Sequence, residues 1–264
     1  MTYSEWSSGR IGPFGTLPSV RFVIVRHGQS SNNHLWSSAG DDAGRSVDPL
    51  LTDLGHAQAA ALASYVAKPG LPWEPTHVYA SAMARAVQTA APLAEAWDLP
   101  LRLSPDLHEV FGPYDYVPGT KERVPHPGAA RHELAALSPR LELEDWVTPD
   151  GWWRRDVETG EDAFARADRL VAWLESNHDA SDVVVLVSHG WFGNVLLARL
   201  LGITELTGAF ELANTALTLI EDEADDVPWR RTAVRVNWMP HLDPDLVTDS
   251  SIAESGRRVT PPGR

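Results

Sequence analysis

The chain has 264 residues, 43% hydrophobic and 22% charged, a globular mixture long enough for one large α/β domain or two small ones, and disorder over the whole chain is excluded. Its formal charge of −14 makes nucleic acid a poor partner and requires any anionic substrate to find a local positive pocket against a repelling background. It has no cysteine, hence no disulfide, thiolate zinc site or cysteine nucleophile, and no apolar run nears the ~20 residues of a membrane span, so a cytoplasmic location is expected and a membrane partner is not.

Residues 1–20 read as a polar, turn-rich extension without the apolar core of a signal peptide. Arg21–Val25 (RFVIV) reads as a buried strand, followed by a segment rich in glycine and asparagine up to Gly44. From Thr52, an N-cap, Leu54, Ala57, Ala61, Leu62, Tyr65 and Val66 fall on one helical face, and Pro69–Gly70 ends the helix. His77–Ala80 is a short strand, and Ser81 is expected to cap a helix running to about Trp97. After Leu101–Leu103 comes an irregular insert, 112–160, rich in proline and glycine and carrying Trp146, Trp152 and Trp153. A helix is expected from about Glu161, a buried strand at Asp182–Val187 and an apolar helix at 191–201. Strands at 215–220 and 232–238 flank the acidic loop EDEADD, and 243–264 reads as a flexible tail behind a domain spanning 21–242. Continuous apolar strands alternating with helices predict a three-layer α/β/α sandwich on a mostly parallel sheet.

In such sheets ligands bind beyond the carboxyl ends of the strands. Arg26, His27 and Gly28 follow the first strand. Ser81 and, in the next helical turn, Arg85 follow the second, and Ser188, His189 and Gly190 follow DVVVLV. A lone histidine after a strand is usually a satisfied polar residue, but two histidines and two arginines at independent strand exits form a pattern. Each helix start behind them adds free N–H groups and a positive dipole end. Two guanidiniums suit phosphoryl oxygens, and two imidazoles without a third ligand do not make a zinc site. A neutral imidazole can attack phosphorus while cations stabilise its oxygens, so no metal or other cofactor is expected.

The stretch VRHGQSSNN (25–33) resembles the RHG signature of the histidine phosphatase superfamily, the phosphoglycerate mutase-like proteins. DPLLTDLGHAQA (48–59), ASAMARAVQTA (80–90), LHE (107–109) and VSHG (187–190) are similar to the family's further blocks, in the family's order. The resemblance covers about residues 21–238 and implies a single sandwich with one antiparallel edge strand, which the last two strands could supply. It implies His27 as the nucleophile that becomes phosphohistidine. It also implies Arg26, Arg85 and His189 as phosphoryl ligands, and Glu109 as the proton donor and later the base. Gln29 and Asn33 would touch the phosphate, together with the turn glycines Gly28 and Gly190 and, beyond them, Trp191. In an extended segment only one of His108 and Glu109 can face the pocket, and Glu109 is expected there.

The remaining histidines, including the His126/His132/Glu133 group, are read as surface or capping residues. Arg131, Arg154 and Arg155 lie in the insert, where Arg131 could reach a second anionic group of the substrate. The LHEVFGPYDYVPG stretch departs from the mutase pattern, and GWWRR together with RHGQSSNN looks like broad-specificity bacterial phosphatases. The expected activity is hydrolysis of a small phosphomonoester metabolite, with the insert as a lid. A phosphoglycerate mutase-type transfer and a non-catalytic phosphate-ligand binder are the alternatives, and a homodimer stays open.

Overall fold

The computed structural model describes residues 20–40, 43–71, 73–223 and 228–248. The two most apolar segments become neighbouring central strands: β1 (Val20–Arg26) pairs in parallel with β7 (Val184–Ser188), from Phe22 opposite Val184 to Arg26 opposite Ser188. Sheet partners on both edges and helices on both faces explain why Phe22, Val23, Val25 and Val184–Val187 are all sealed from solvent. Outward from β7 lie β2 (His77–Ser81), β3 (Leu101–Ser104) and β6 (Leu141–Glu142), all parallel. On the other side β8 (Leu217–Asp222) runs antiparallel to β1, and β9 (Arg231–Trp238) runs antiparallel to β8. The expected mostly parallel sandwich is therefore present, with an antiparallel edge built of two strands. The loop between them falls partly outside the described residues.

Helices α2 (Asp53–Val66) and α3 (Ala84–Ala96) cover one face through Leu62, Val66, Val87, Ala90 and Leu93. Helices α5 (Gly160–Asn177) and α6 (Gly190–Leu200) cover the other through Leu170, Leu174, Phe192 and Leu196. Thr52 caps α2 as its sequence suggests, its hydroxyl accepting from Gly55 N at 3.1 Å. Ser81 does not cap α3, because β2 runs on through it; the cap comes from Asp48, whose carboxylate accepts Ala84 N at 3.1 Å. The glycine- and asparagine-rich segment contains an unanticipated helix, α1 (Ser31–Ala39), started by a reciprocal capping pair between Ser30 and Asn33.

The insert holds a small hairpin of β4 (Tyr114–Tyr116) and β5 (Arg123–Pro125), a short helix α4 (Arg131–Ala135) and β6, which extends the main sheet. Trp152 and Trp153 are buried against the core. Gly128 sits at φ +73°, where a Cβ would fall 2.3 Å from the Trp152 ring, so only glycine lets that ring close. The start of the expected tail is held in place: Pro244–Leu246 forms a 3-10 turn, and Gln58 Nε2 donates to Leu246 O at 2.7 Å and Thr248 Oγ1 at 2.8 Å. Residues 1–19 and 249–264, most of the expected extension and tail, lie outside the described residues.

Candidate active site

Because β1 and β7 are in register, the residues just past their ends come side by side. The His27 and His189 rings lie 5.1 Å apart, and His27 N donates to Ser188 O at 2.9 Å. The His27 Nδ1–H donates to Gly28 O at 2.6 Å. A carbonyl can only accept, so this bond fixes the tautomer and leaves the lone pair on Nε2. Arg85, the second residue of α3, donates Nε–H to that Nε2 at 3.1 Å. Burial, then the Arg85 and Arg26 guanidiniums, hold the His27 pKa well below the ordinary histidine value, so the ring is neutral.

Arg26 is 2% exposed and donates to Leu212 O at 2.7 Å. Asp48 serves two partners at once, capping α3 and facing Arg85 Nη1 at 3.8 Å. Burial raises its pKa, against the pull of Arg85 and the Ala84 N–H. His189 is completely buried, and neither of its ring nitrogens has a hydrogen-bond partner. Burial, followed by Arg85 and His27, lowers its pKa well below the ordinary value. An unmet imidazole in a buried cationic setting is costly unless it serves a ligand oxygen. Asn214, which sequence reasoning missed, supports this floor: its Nδ2 donates to His27 O at 2.8 Å, and its Oδ1 accepts from Thr248 at 2.8 Å.

Glu109 faces the same space from the loop after β3. Its Oε1 accepts from Phe192 N at 2.8 Å and Val110 N at 2.9 Å, and its Oε2 from Trp191 N at 3.2 Å. The start of α6 thus positions the carboxylate through backbone N–H groups and the helix dipole. His108 turns the other way: it is fully buried, its Nδ1–H donates to Glu109 O at 2.9 Å, and its ring meets Trp153 edge-on at 4.7 Å. Behind this loop, Arg166 is wholly buried, lies over Phe192 at 3.7 Å and pairs through two bonds with Glu158. It also donates to Asp106 O at 2.7 Å and His108 O at 3.0 Å, so it braces the loop that carries Glu109 from below.

Of the residues singled out from the sequence, Arg26, His27, Asn33, Arg85, Glu109 and Trp191 line one cavity of about 530 Å³. Others lie outside that lining, and His189 sits sealed behind the wall with its ring 5.1 Å from that of His27. The Gln29 side chain accepts from Thr52 Oγ1 at 2.8 Å and joins the RHG loop to α2 instead of facing the cavity. Gly28 and Gly190 form the backbone behind the wall, and a Cβ on Gly28 would meet Gly55 O at 2.6 Å. Asn33 lines the cavity but spends its Oδ1 on capping α1 through Ser30 N at 3.0 Å. Arg131 does not line the cavity: its guanidinium donates to Leu143 O at 2.8 Å, Glu144 O at 2.7 Å and Val147 O at 2.9 Å, and so stitches the insert together.

The mouth was not foreseen. Arg45 stacks over Tyr114 at 4.1 Å and donates to Tyr114 O at 2.7 Å, while Arg123 lies over Phe111 at 4.0 Å and 5.0 Å from the same Tyr114 ring. Neither arginine has a carboxylate partner among the described residues. Arg123 opens β5 of the hairpin, whereas Arg45 reaches Tyr114 from a loop 69 residues away, a pairing that no local pattern encodes. Among the described residues no helix is long and apolar enough to cross a membrane.

Residues 22–235 match the model of the histidine phosphatase superfamily (branch 1). The chain is 29% identical over 213 residues to the probable phosphoglycerate mutase GpmB of Yersinia pestis (strain Pestoides F), covering 80% of this chain and 87% of that one. Among solved structures, mycobacterial hydrolase 1 is similar with a TM-score of 0.53 at 26% identity, over 83% of this chain and 99% of its own. A mycobacterial glucosyl-3-phosphoglycerate phosphatase complexed with VO3 shares the fold at 24% identity and a TM-score of 0.53, over 83% of this chain and 100% of its own. A phosphoserine phosphatase from Entamoeba histolytica, complexed with phosphoserine, shares it at 22% identity and a TM-score of 0.51, over 84% and 98%. With the strand-end histidines, the arginine cradle and the ordered motif blocks resting on this fold, the chain belongs to the histidine phosphatase superfamily, branch 1.

Proposed function

We propose that this protein hydrolyses a small phosphomonoester through a phosphoenzyme formed on His27. The lone pair of His27 Nε2 attacks phosphorus, and the bond to the alcohol oxygen breaks. Arg85 moves its N–H from Nε2 to a phosphoryl oxygen, and Arg26 and His189 hold the others. Charge on the transferring group is thereby met by fixed donors in a water-poor floor. A proton carried on Glu109 passes to the leaving oxygen. The resulting carboxylate takes a proton from water, whose oxygen attacks phosphorus; the P–N bond breaks, and neutral His27 returns with free phosphate. The observation that carries this reading is a neutral, tautomer-locked imidazole beside a cationic cavity that also presents a carboxylate.

A mutase reading draws on the relatives named as probable phosphoglycerate mutases. It uses the same phosphoenzyme and differs only in retaining the product for return transfer. The stretch after Glu109, FGPYDYVPG, contributes Phe111, Tyr114 and Tyr116 to an open aromatic mouth, which favours water entry and hydrolysis. The arginines at that mouth further favour an alcohol moiety bearing a second anionic group, such as a carboxylate. The phosphoserine and glucosyl-3-phosphoglycerate of the phosphatases with this fold carry such a group.

The test is turnover of an aryl phosphate with a chelator present, paired with a rapid quench that seeks acid-labile, base-stable phosphate on His27. Turnover with label on His27 supports the reading. Absence of turnover across a panel of phosphomonoesters, or label on another residue, overturns it. Conversion of 3-phosphoglycerate in the presence of a bisphosphate primer, faster than its hydrolysis, would make it a mutase.

A further inference from the structure

At the end of the sheet opposite the phosphate pocket, three elements bring metal-ligating side chains together. His77 is the first residue of β2, Asp182 precedes β7, and His178 directly follows α5; the register sets His77 against Val184. One donor atom from each lies within 4.8 Å of the others. His77 Nδ1 is 3.5 Å from Asp182 Oδ1, and His178 Nδ1 is 3.4 Å from Asp182 Oδ2. Neighbouring ligand atoms on a tetrahedral zinc ion with bonds of about 2.0 Å stand about 3.3 Å apart, and each histidine already approaches one oxygen of the Asp182 carboxylate to about that distance.

The His178 side chain is 2% exposed, and neither ring nitrogen makes a hydrogen bond. Its ring is walled by His77 at 4.5 Å, Tyr79 at 5.7 Å and Trp173 at 5.7 Å, none of which satisfies it. The 3.4 Å approach to Asp182 is a contact of charge without hydrogen-bond geometry. The carboxylate, by contrast, is oriented as a ligand would be: Thr76 Oγ1 donates to Oδ1 at 2.9 Å, and Asp179 N donates to Oδ2 at 3.1 Å. The nearby Arg21, which donates to His178 O at 3.1 Å, is paired with Asp222, so its charge is offset. His77 and Asp182 keep 27% and 18% of their side chains exposed, which leaves an entry path and a fourth position for water.

We propose that His77, His178 and Asp182 form a structural site for a divalent transition ion, with zinc as the best match. Two imidazoles and a carboxylate, without thiolate, are the donors of a borderline ion and not of calcium or magnesium. Such an ion ties β2, β7 and the end of α5 into one knot. It lies far from the chemistry, so its effect is on stability and not on turnover. The site was invisible in the sequence because its ligands come from segments about 100 residues apart.

The test uses the intact chain, stripped with chelator and then titrated with Zn²⁺ by calorimetry and thermal melting. Co²⁺ serves as the spectroscopic probe. The expected result is one equivalent bound in the micromolar range or tighter. At a hundredfold excess over Kd, Tm should rise by roughly 5 °C or more, and Co²⁺ should give the intense visible bands of a tetrahedral ion. His77→Gln, at a partly exposed position, should abolish the rise and leave aryl phosphate turnover unchanged; Asp182→Asn should act likewise. No zinc-dependent rise in Tm overturns the proposal. So does a rise that survives both substitutions, or zinc inhibition of turnover that His77→Gln does not relieve, since the ion would then sit on the catalytic imidazoles.

Discussion

Arg26 and Arg85, on the floor of the cavity, are 2% and 8% exposed, whereas Arg123, at the mouth of the same cavity, is exposed. The floor is built from strand ends whose backbone register dictates where each side chain goes, and its cations are held by a carbonyl and a carboxylate. The mouth is built from a hairpin and a loop, and its cations rest on aromatic faces. Preorganised donors in a buried floor act on charge that develops during reaction, while exposed cations act on charge the ligand already carries. On the proposed reading the two regions divide the work: the floor sets how fast the phosphoryl group moves, and the mouth sets which alcohol is attached to it.

The harshest test of this division is His27→Ala, which should lower kcat for every phosphomonoester by about 10⁴-fold or more, measured by turnover of an aryl phosphate. A residual rate near wild type would break the comparison, since the chemistry would then lie outside the floor. Glu109→Gln keeps an acceptor oxygen for the α6 N–H groups but cannot donate a carboxyl proton. It should cost about 10²–10⁴-fold with a poor alkyl leaving group and much less with a good aryl one. At the mouth, Arg123→Ala and Arg45→Ala should each raise KM by about 10-fold or more for a substrate with a second anionic group. Neither should move kcat/KM for an aryl phosphate by more than a few-fold; equal losses on both substrates would merge the two regions into one.

Acid should also separate floor from mouth. His27, His108 and His189 are buried and their pKa values are lowered by that burial. In the unfolded chain they would take up protons as pH falls through about 6.5, while in the folded chain they stay neutral. The unfolded state then binds more protons, so stability present above about pH 6.5 is lost below it, by about 1.4 kcal/mol per pH unit for each such histidine. Denaturant melts between about pH 7 and pH 5 measure this slope, and a flat profile would contradict the neutral floor. The smallest effect belongs to Arg131→Ala, which removes three hydrogen bonds inside the insert. It should lower stability by about 1–3 kcal/mol in the same melts, with kcat on an aryl phosphate nearly unchanged.

The floor was legible in the sequence because its information is local: VRHG and VSHG each end an apolar run, and parallel register does the rest. Alternation in an extended segment placed only one of His108 and Glu109 in the cavity, and the family resemblance selected Glu109. Gln29 and Arg131 went astray for one reason, that both have hydrogen-bonding uses inside the protein that composition cannot reveal. Ser81 failed as a cap because the sheet extended through it, a tertiary outcome that overrides a short-range signal. The Arg45 contact with Tyr114 and the Asp48 cap each join a loop to an element far along the chain, where neither period nor turn chemistry carries a message.

His189 immediately precedes α6, and two backbone N–H groups in the first turn of that helix grip the Glu109 carboxylate. On the proposed reading, a single rigid rod thus carries the phosphoryl-holding imidazole and steers the proton carrier. Any change that tilts α6, whether a core substitution under Phe192 or a partner pressing on its far end, displaces both together. Engineers seeking a different leaving group therefore have little freedom in this helix, and should reshape the hairpin across the cavity instead.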